Sequence, residues 1–217
     1  MTEIQYLLFD LDDTLYTNAS GLFQEVGERI EHWTAEALGI GLEEAQKLRR
    51  VYYKTYGTTM AGLVQEHPEV NIDGYLDYVH DVDVSQYLQP RPELAAMLAS
   101  LPAPKAVFTN SITDWAERVT RQLGIRECFE HIFDVRTVDY RSKPDPYAYA
   151  WVLQTLDRAG PACAMLDDQV SYLEGAAKVG MTTILVREGS KVVDGIDYAV
   201  DDIMAAEPVL KRLLLLG

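Results

Sequence analysis

Short apolar segments alternate with helix-like segments through most of the second half of the chain. Their length and composition are typical of strands that are buried on both faces of a sheet. Strands are predicted at residues 4–9, 105–110, 131–135, 163–168, 183–186 and 198–200. Helices are predicted between them at residues 113–123, 146–158 and 170–179. This alternation predicts an α/β fold with a parallel sheet and right-handed crossovers.

Residues 17–89 interrupt the alternation and contain no convincing strand. Apolar residues recur there at steps of three and four, as in Leu22, Val26 and Ile30, which predicts amphipathic helices. The block follows the first strand directly, where parallel sheets build their sites, so we interpret it as a cap rather than as extra helices packed on the sheet. The predicted domains are a core of residues 1–16 and 90–217 and a small α-helical cap domain of residues 17–89.

Composition narrows the class of partner. The chain has 217 residues, of which 34 are acidic and 19 basic, giving a formal net charge of −15. Such a charge argues against a nucleic acid polymer or an anionic membrane surface as partner, but it leaves room for a small phosphorylated metabolite. No secretion signal precedes the first strand, which favours a cytoplasmic location. No pattern indicates an oligomeric state.

Paired carboxylates end two of the predicted strands. Asp10 and Asp12 follow the first strand, and in extended chain their side chains face the same way. Asp167 and Asp168 end a later strand. Carboxyl ends of parallel strands meet at one edge of the sheet, where these oxygens would form a magnesium site. Each pair by itself is equally typical of a helix cap or turn.

Neutral and cationic donors follow two other segments. Thr109 and Asn110 end the second strand, and Lys143 precedes a proline in a loop. A lone loop lysine is usually a solvated surface charge. If Lys143 lies near the four aspartates named above, however, it is the obvious source of a fixed positive charge at their site.

These motifs together resemble the haloacid dehalogenase-like hydrolase superfamily. They are "FDLDDTL" with Asp10 and Asp12, "FTNS" with Thr109, "SKPDP" with Lys143, and "LDDQ". The resemblance covers nearly the whole chain. It implies a Rossmann-like parallel sheet sandwiched by helices, with the cap inserted after the first strand.

Three further stretches resemble the pyrimidine 5′-nucleotidase branch of that superfamily. They are "YYKTYGTTMAGL", "YLDYVHDV" and "FTNSITDWAERVTRQLGI". The chain departs from the branch at Trp115, where histidine is usual, and at Gln169 and Tyr172, where serine and asparagine are usual. The first departure bears on the substrate pocket, and the other two bear on the surroundings of the metal.

The resemblance implies a magnesium-dependent phosphatase that works through an aspartyl-phosphate. Asp10 would be the nucleophile, and Asp12 the general acid and then the base. Mg²⁺ would be held by Asp10, the backbone carbonyl of Asp12 and Asp168, with Asp167 auxiliary. Thr109, Asn110 and Lys143 would bind the phosphoryl group.

The implied substrate is a small phosphomonoester, with a nucleoside 5′-monophosphate favoured. Aromatic faces and hydroxyls suited to a nucleobase are offered by Tyr52, Tyr53, Tyr56, Thr58 and Thr59, although for any one tyrosine packing of the cap against the core is favoured. A sugar-phosphate phosphatase and a phosphomutase remain open alternatives.

Other functions fit the motifs less well. Dehalogenation on the same fold needs neither a general acid nor a metal, so Asp12 and the pair Asp167 and Asp168 count against it. A signalling receiver module ends its series of motifs with the lysine and has no helical insert. A non-catalytic phospho-accepting or binding protein would not need every core group.

Overall fold

The computed structural model describes residues 3–215, except for the side chain of Asn18. Six strands form one sheet in which every neighbouring pair is parallel, in the order β3-β2-β1-β4-β5-β6. They are β1 (Tyr6–Phe9), β2 (Lys105–Phe108), β3 (His131–Phe133), β4 (Cys163–Asp167), β5 (Thr182–Val186) and β6 (Tyr198–Val200). The predicted α/β class, with its parallel sheet, is confirmed.

The α-helices that the structure describes lie between these strands and after the last one. They are α1 (Leu22–Leu38), α2 (Leu42–Tyr56), α3 (Thr59–Glu66), α4 (Ile72–Val79), α5 (Pro92–Ser100), α6 (Thr113–Leu123), α7 (Pro146–Leu156), α8 (Val170–Lys178) and α9 (Glu207–Leu215). The α7 helix ends before the predicted residue 158 because Asp157 adopts a left-handed conformation, with φ of 52°. Between residues 3 and 215, no helix combines the length and the apolar character that crossing a bilayer requires.

Alternate residues of each strand enter two separate apolar layers. Leu7 and Phe9 belong to the layer that includes α5, α6 and α9, whereas Leu8 belongs to the layer that includes α7 and α8. This division follows from the two-residue period of a strand. Helices therefore cover both faces of the sheet, as expected for strands that are apolar on both sides.

The segment between β1 and α5 is helical, as its periodicity predicts. We call residues 17–89 the helical insert; its helices are α1–α4. The insert is bonded to the rest of the chain at several points. The Tyr172 hydroxyl donates to the carbonyl of Gly57 at 2.8 Å. The guanidinium of Arg136 bonds Asp73 at 3.0 Å and Asp77 at 2.7 Å.

Strand order locates a crevice in the sheet. The chain runs from β1 outward to β2 and β3, and then returns to β4 on the other side of β1. In open α/β sheets, ligands bind where the order reverses in this way, beyond the carboxyl ends of the strands. Here that place lies beyond Phe9 of β1 and Asp167 of β4.

Candidate active site

The chain turns sharply as it leaves β1, and this turn presents Asp10 at the crevice. The backbone N–H of Asp10 still donates to Leu166 of β4, at 2.9 Å. The side chain of Leu11 is fully buried and anchors the turn. The Thr14 hydroxyl then donates to Oδ2 of Asp10 at 3.1 Å, which fixes one oxygen of the carboxylate.

Lys143 lies at the centre of the crevice rather than on the surface. Its side chain is fully buried, and its Nζ bonds Oδ1 of Asp10 at 2.9 Å and Oδ2 of Asp167 at 2.7 Å. Burial alone lowers the pKa of the ammonium, but the charges of the two carboxylates outweigh it and raise the pKa above its ordinary value. Lys143 therefore stays charged at any physiological pH.

Asn110 acts on Lys143 through its backbone. Its Nδ2 donates to the carbonyl of Lys143 at 3.0 Å, and its Oδ1 accepts from the N–H of Lys143 at 2.8 Å. Both ends of the amide are thus engaged in holding the lysine loop. Thr109 is almost fully buried beside it, and its Oγ1 accepts from the N–H of Ser111 at 3.0 Å.

Three buried carboxylates converge beside this lysine. Oxygens of Asp10, Asp167 and Asp168 lie within 4.8 Å of one another. Burial raises the pKa of Asp167 to about 7, against the pull of Lys143. Burial, with the charges of Asp10 and Asp167, raises the pKa of Asp168 to about 8. One ammonium does not balance three carboxylates, and hard oxygens at this spacing fit a divalent cation.

The two aspartates at the end of β4 differ in how they are bonded. Asp167 accepts from Lys143 at Oδ2 and from the N–H of Gln169 at Oδ1, the latter at 2.9 Å. Asp168 accepts from the Gln169 side chain at Oδ2. Asp167 is therefore suited to orienting Lys143, whereas Asp168 has more acceptor capacity left for a ligand.

Asp12 is held by three donors. Trp115 donates from Nε1 to Oδ1 at 2.9 Å, and the Tyr16 hydroxyl donates to the same oxygen. The Ser111 hydroxyl donates to Oδ2 at 2.7 Å. Such a set of bonds fixes the plane of the carboxylate at the cavity wall.

A cavity of about 600 Å³ extends from these residues under the helical insert. Asp10, Asp12, Asp168, Thr109 and Asn110 line its acidic end. Side chains of α1, α3, α4 and α6 supply a mainly apolar wall, which comprises Phe23, Val26, Ile30, Met60, Tyr75, Leu76, Val79 and Trp115. Glu31, Arg49 and Arg50 also line the cavity.

The predicted cap residues divide into two groups. Thr58 lines the cavity, but Tyr52 and Tyr56 are not among its lining residues. The Tyr52 ring is buried against Gly62, where a Cβ atom would lie only 2.2 Å from Cγ of Tyr52, and its hydroxyl bonds His67. The Tyr56 hydroxyl donates to Glu66. These two tyrosines pack the insert.

Tyr53, between them in sequence, does line the cavity. Burial raises the pKa of Tyr53 to about 12, with a further contribution from the charge of Asp168. Tyr53 is 46% exposed, so its side chain forms an accessible part of the cavity wall.

Two contacts of Asp12 have no local signal in the sequence. Ser111 and Trp115 are separated from Asp12 by about 100 positions, and only the fold brings them together. The Tyr16 contact spans four residues and is the one that spacing could have suggested. Gln169 bonds Asp168, its neighbour in sequence.

A match to a known protein family covers the part of the chain that forms the site. Residues 4–180 match the family model described as haloacid dehalogenase-like hydrolase. The chain belongs to this family. The matched region contains every residue of the crevice described above. The pyrimidine 5′-nucleotidase branch is not distinguished by this match.

Curated relatives of this hydrolase include phosphatases. Phosphate metabolism protein 8 of Saccharomyces cerevisiae is 27% identical over 192 residues, which are 82% of the chain and 60% of the yeast protein. The chain thus matches less than two thirds of the length of that relative. Phosphoglycolate phosphatase of Pectobacterium atrosepticum is 25% identical over 217 residues, covering 94% of the chain and 89% of the relative.

Solved structures share the fold of this hydrolase across different chemistries. The phosphatase of Thermococcus onnurineus superposes with a TM-score of 0.66 at 17% identity, covering 95% of this chain and 98% of that one. The L-2-haloacid dehalogenase of Xanthobacter autotrophicus gives 0.59 at 17% identity, covering 96% and 98%. The fold alone therefore does not separate phosphatase from dehalogenase, and the side chains must do so.

Proposed function

We propose that this hydrolase is a magnesium-dependent phosphatase that cleaves small phosphomonoesters through an aspartyl-phosphate on Asp10. One observation carries the proposal: the Lys143 ammonium bonds both Asp10 and Asp167, within a group of three buried carboxylates. A carboxylate can attack an anionic phosphate only where fixed positive charge offsets the repulsion. The crevice supplies that charge from Lys143 and supplies oxygen ligands for a cation.

In the first step, an oxygen of Asp10 attacks phosphorus and the bond from phosphorus to the leaving oxygen breaks. Asp12 gives its proton to that oxygen, so the alcohol leaves neutral. In the second step, Asp12 takes a proton from water as the water oxygen attacks phosphorus. This releases inorganic phosphate and restores the carboxylate of Asp10.

The donors around Asp10 hold it for attack. Thr14 and Lys143 each bond one oxygen of its carboxylate, so the side chain cannot rotate freely. Thr109 and Lys143 would bind the phosphoryl oxygens during transfer. Asn110 contributes by fixing the lysine loop, through its two bonds to the Lys143 backbone.

The acidic group fits Mg²⁺, a hard cation that prefers carboxylate and carbonyl oxygens. Asp10, Asp168 and the backbone carbonyl of Asp12 would hold it, with Asp167 auxiliary through its contact with Lys143. When bound, the ion supplies positive charge that neutralises the phosphoryl oxygens.

The cavity supports the predicted substrate class, a nucleoside 5′-monophosphate. Its volume of about 600 Å³ is within the range of sites for ligands of that size. The mainly apolar wall suits the faces of a nucleobase better than the hydroxyl groups of a sugar phosphate. We further propose that the helical insert is the cap domain, residues 17–89, on a core of residues 1–16 and 90–217, because its side chains supply most of this wall.

A phosphorylated hydroxy acid is the second candidate. Arg50 lines the cavity and forms no ion pair with any residue in the described part of the chain. A free guanidinium at this place suits a second anionic group on the substrate. The phosphoglycolate phosphatase among the relatives has a substrate of that kind in its name.

We expect purified protein with Mg²⁺ to release phosphate from p-nitrophenyl phosphate and, faster than from any sugar phosphate, from UMP or CMP. Phosphate release should stop in excess EDTA and return when Mg²⁺ is added. The measurement is a phosphate-release screen over nucleotides, sugar phosphates and phosphoglycolate. Full activity in EDTA would contradict the metal role, and preferred hydrolysis of phosphoglycolate would favour the second candidate.

The tyrosine that faces the cavity gives a test of base recognition. We expect Tyr53→Ala to raise KM for UMP about tenfold with little change in kcat, because stacking of one base contributes about 1–3 kcal/mol. Tyr52→Phe is the matched control: it keeps the packing ring and removes a hydroxyl that faces His67, so KM should not change. Steady-state kinetics that show equal KM values for Tyr53→Ala and the parent protein would exclude Tyr53 from substrate binding.

A further inference from the structure

The indole of Trp115 lies against the carboxylate of Asp12. Trp115 is in the first turn of α6 and is 1% exposed. Its Nε1 donates to Oδ1 of Asp12 at 2.9 Å. This bond joins two residues that are 103 positions apart.

The indole is held firmly by its surroundings. The His80 ring packs at 5.3 Å from it, and the Arg118 guanidinium lies 5.5 Å from its centre. Arg118 is itself fixed, because it donates to the carbonyls of Val82 at 2.7 Å and His80 at 2.5 Å. The indole N–H is therefore a donor of fixed position, and it does not depend on a flexible side chain.

The donors around Asp12 are distributed unevenly between its two oxygens. Oδ1 accepts from both Trp115 and Tyr16, which uses the two acceptor positions of a carboxyl oxygen. Among the residues that the structure describes, Oδ2 accepts from Ser111 alone, so one position remains open there. A hydroxyl can reverse its role from donor to acceptor, but an indole N–H can only donate. A proton on Asp12 consequently has its place on Oδ2.

We propose that Trp115 is a positioning residue for the general acid: its N–H keeps Oδ1 of Asp12 an acceptor and leaves Oδ2 to carry the proton for the leaving oxygen. This inference rests on the proposed phosphatase function. Without the indole N–H, the proton of Asp12 could also lie on Oδ1. A fraction of the enzyme molecules would then carry it on the oxygen that does not face the leaving group. Only the step that delivers this proton should suffer.

The test compares substrates that differ in their need for a proton. The sugar alkoxide leaving from UMP requires protonation, whereas the p-nitrophenolate leaving from p-nitrophenyl phosphate is stable without it. General acid catalysis contributes about 10²–10⁴-fold to rate. We expect Trp115→Phe, which keeps a ring and removes the N–H, to lower kcat/KM for UMP at least about 10-fold and that for p-nitrophenyl phosphate less than about threefold.

Two further variants make the test specific. Trp115→His restores a ring N–H and should recover part of the UMP activity lost in Trp115→Phe. Trp151→Phe is the matched control, because this tryptophan packs on Phe133 in the opposite layer and should leave both substrates unaffected. Tyr16→Phe frees the same oxygen of Asp12 by a different route, and it should show the same selective loss if Trp115→Phe does not fold.

The possible outcomes separate this inference from the proposed function. If the parent protein hydrolyses neither substrate with Mg²⁺, the phosphatase function itself is wrong. If the parent is active but Trp115→Phe and Tyr16→Phe lower kcat/KM equally for both substrates, or for neither, Trp115 does not position the acid. Selective loss on UMP, with recovery in Trp115→His, supports the inference.

Discussion

Asp10→Asn is expected to abolish phosphate release, with a fall in kcat of at least about 10⁴-fold. The amide has almost the shape of the carboxylate: its oxygen can accept from Lys143, and its NH2 can donate to the Thr14 hydroxyl, which then accepts instead of donating. What the amide lacks is a nucleophilic oxygen for the attack on phosphorus. The loss should be equal for p-nitrophenyl phosphate and UMP, because both substrates require the same nucleophile.

The same variant is expected to keep or raise the stability of the metal-free protein. Burial raises the pKa of Asp10, so the folded state disfavours its ionised form relative to the unfolded chain. For a carboxyl with a raised pKa, stability declines as pH increases above the unfolded value. A neutral amide removes that decline, along with the repulsion from Asp168. The Tm of metal-free Asp10→Asn at pH 8 should therefore equal or exceed that of the parent.

Asp114→Asn is the matched control for this prediction. Asp114 is exposed in the first turn of α6 and is not among the lining residues of the cavity. Its substitution should change neither kcat nor Tm appreciably. An Asp10→Asn protein that retains activity, once contamination and deamidation are excluded by mass spectrometry, would require a different nucleophile.

Sequence patterns predicted the core well because strand burial is a local property. A segment that is apolar on both faces, such as β1 or β4, is expected inside a sheet that helices cover on both sides. The convergence of Asp10, Lys143 and Asp168 followed from topology, since the carboxyl ends of parallel strands share one edge of the sheet. Helix α6 ends before Gly124, as the glycine predicts, but its N-cap residue makes no side-chain hydrogen bond, and the Ser111 hydroxyl donates to Asp12 instead.

The walls of the cavity were harder to predict, because they depend on how each helix is rotated. Tyr52, Tyr53 and Tyr56 are all plausible aromatic contacts in sequence, yet Tyr53 alone of the three lines the cavity. The periodicity that marks Tyr52 as apolar also assigns it to the packed face of α2. The amide of Asn110 likewise faces the Lys143 backbone, a contact over 33 positions that no local pattern encodes.

Lys143→Met is expected to cost both activity and stability. Methionine has a side chain of similar length but no ammonium group. Among the described residues, that ammonium is the only cationic group that forms ion pairs with Asp10 and Asp167. Activity should fall at least about 10³-fold, because the fixed charge that offsets phosphate repulsion is lost. The free energy of unfolding at pH 8 should fall by about 3–5 kcal/mol, since both carboxylates would lose their buried partner.

The stability loss should depend on pH in a defined direction. The pKa of Lys143 is raised in the folded state, so its contribution is constant below the ordinary lysine range. The pH dependence comes from the carboxylates instead. Burial raises the pKa of Asp167 to about 7. Below that pH Asp167 is protonated and neutral, so losing the Lys143 ammonium no longer leaves it as an unpaired buried charge. Urea unfolding should therefore show a smaller difference between Lys143→Met and the parent at pH 5.5 than at pH 8.

The stability loss in Lys143→Met has two possible causes: the loss of a favourable ion pair, or the burial of carboxylates left without a partner. A second substitution distinguishes them. Replacing a whole buried ion pair by neutral groups is often nearly neutral for stability, whereas removing one partner is not. Lys143→Met combined with Asp167→Asn should accordingly recover a large part of the unfolding free energy at pH 8 and none of the activity. Exposed Lys191→Met is the control for the change of residue type. Unchanged stability in Lys143→Met at pH 8 would show that the crevice carboxylates are already protonated, and that Lys143 does not hold them charged for attack.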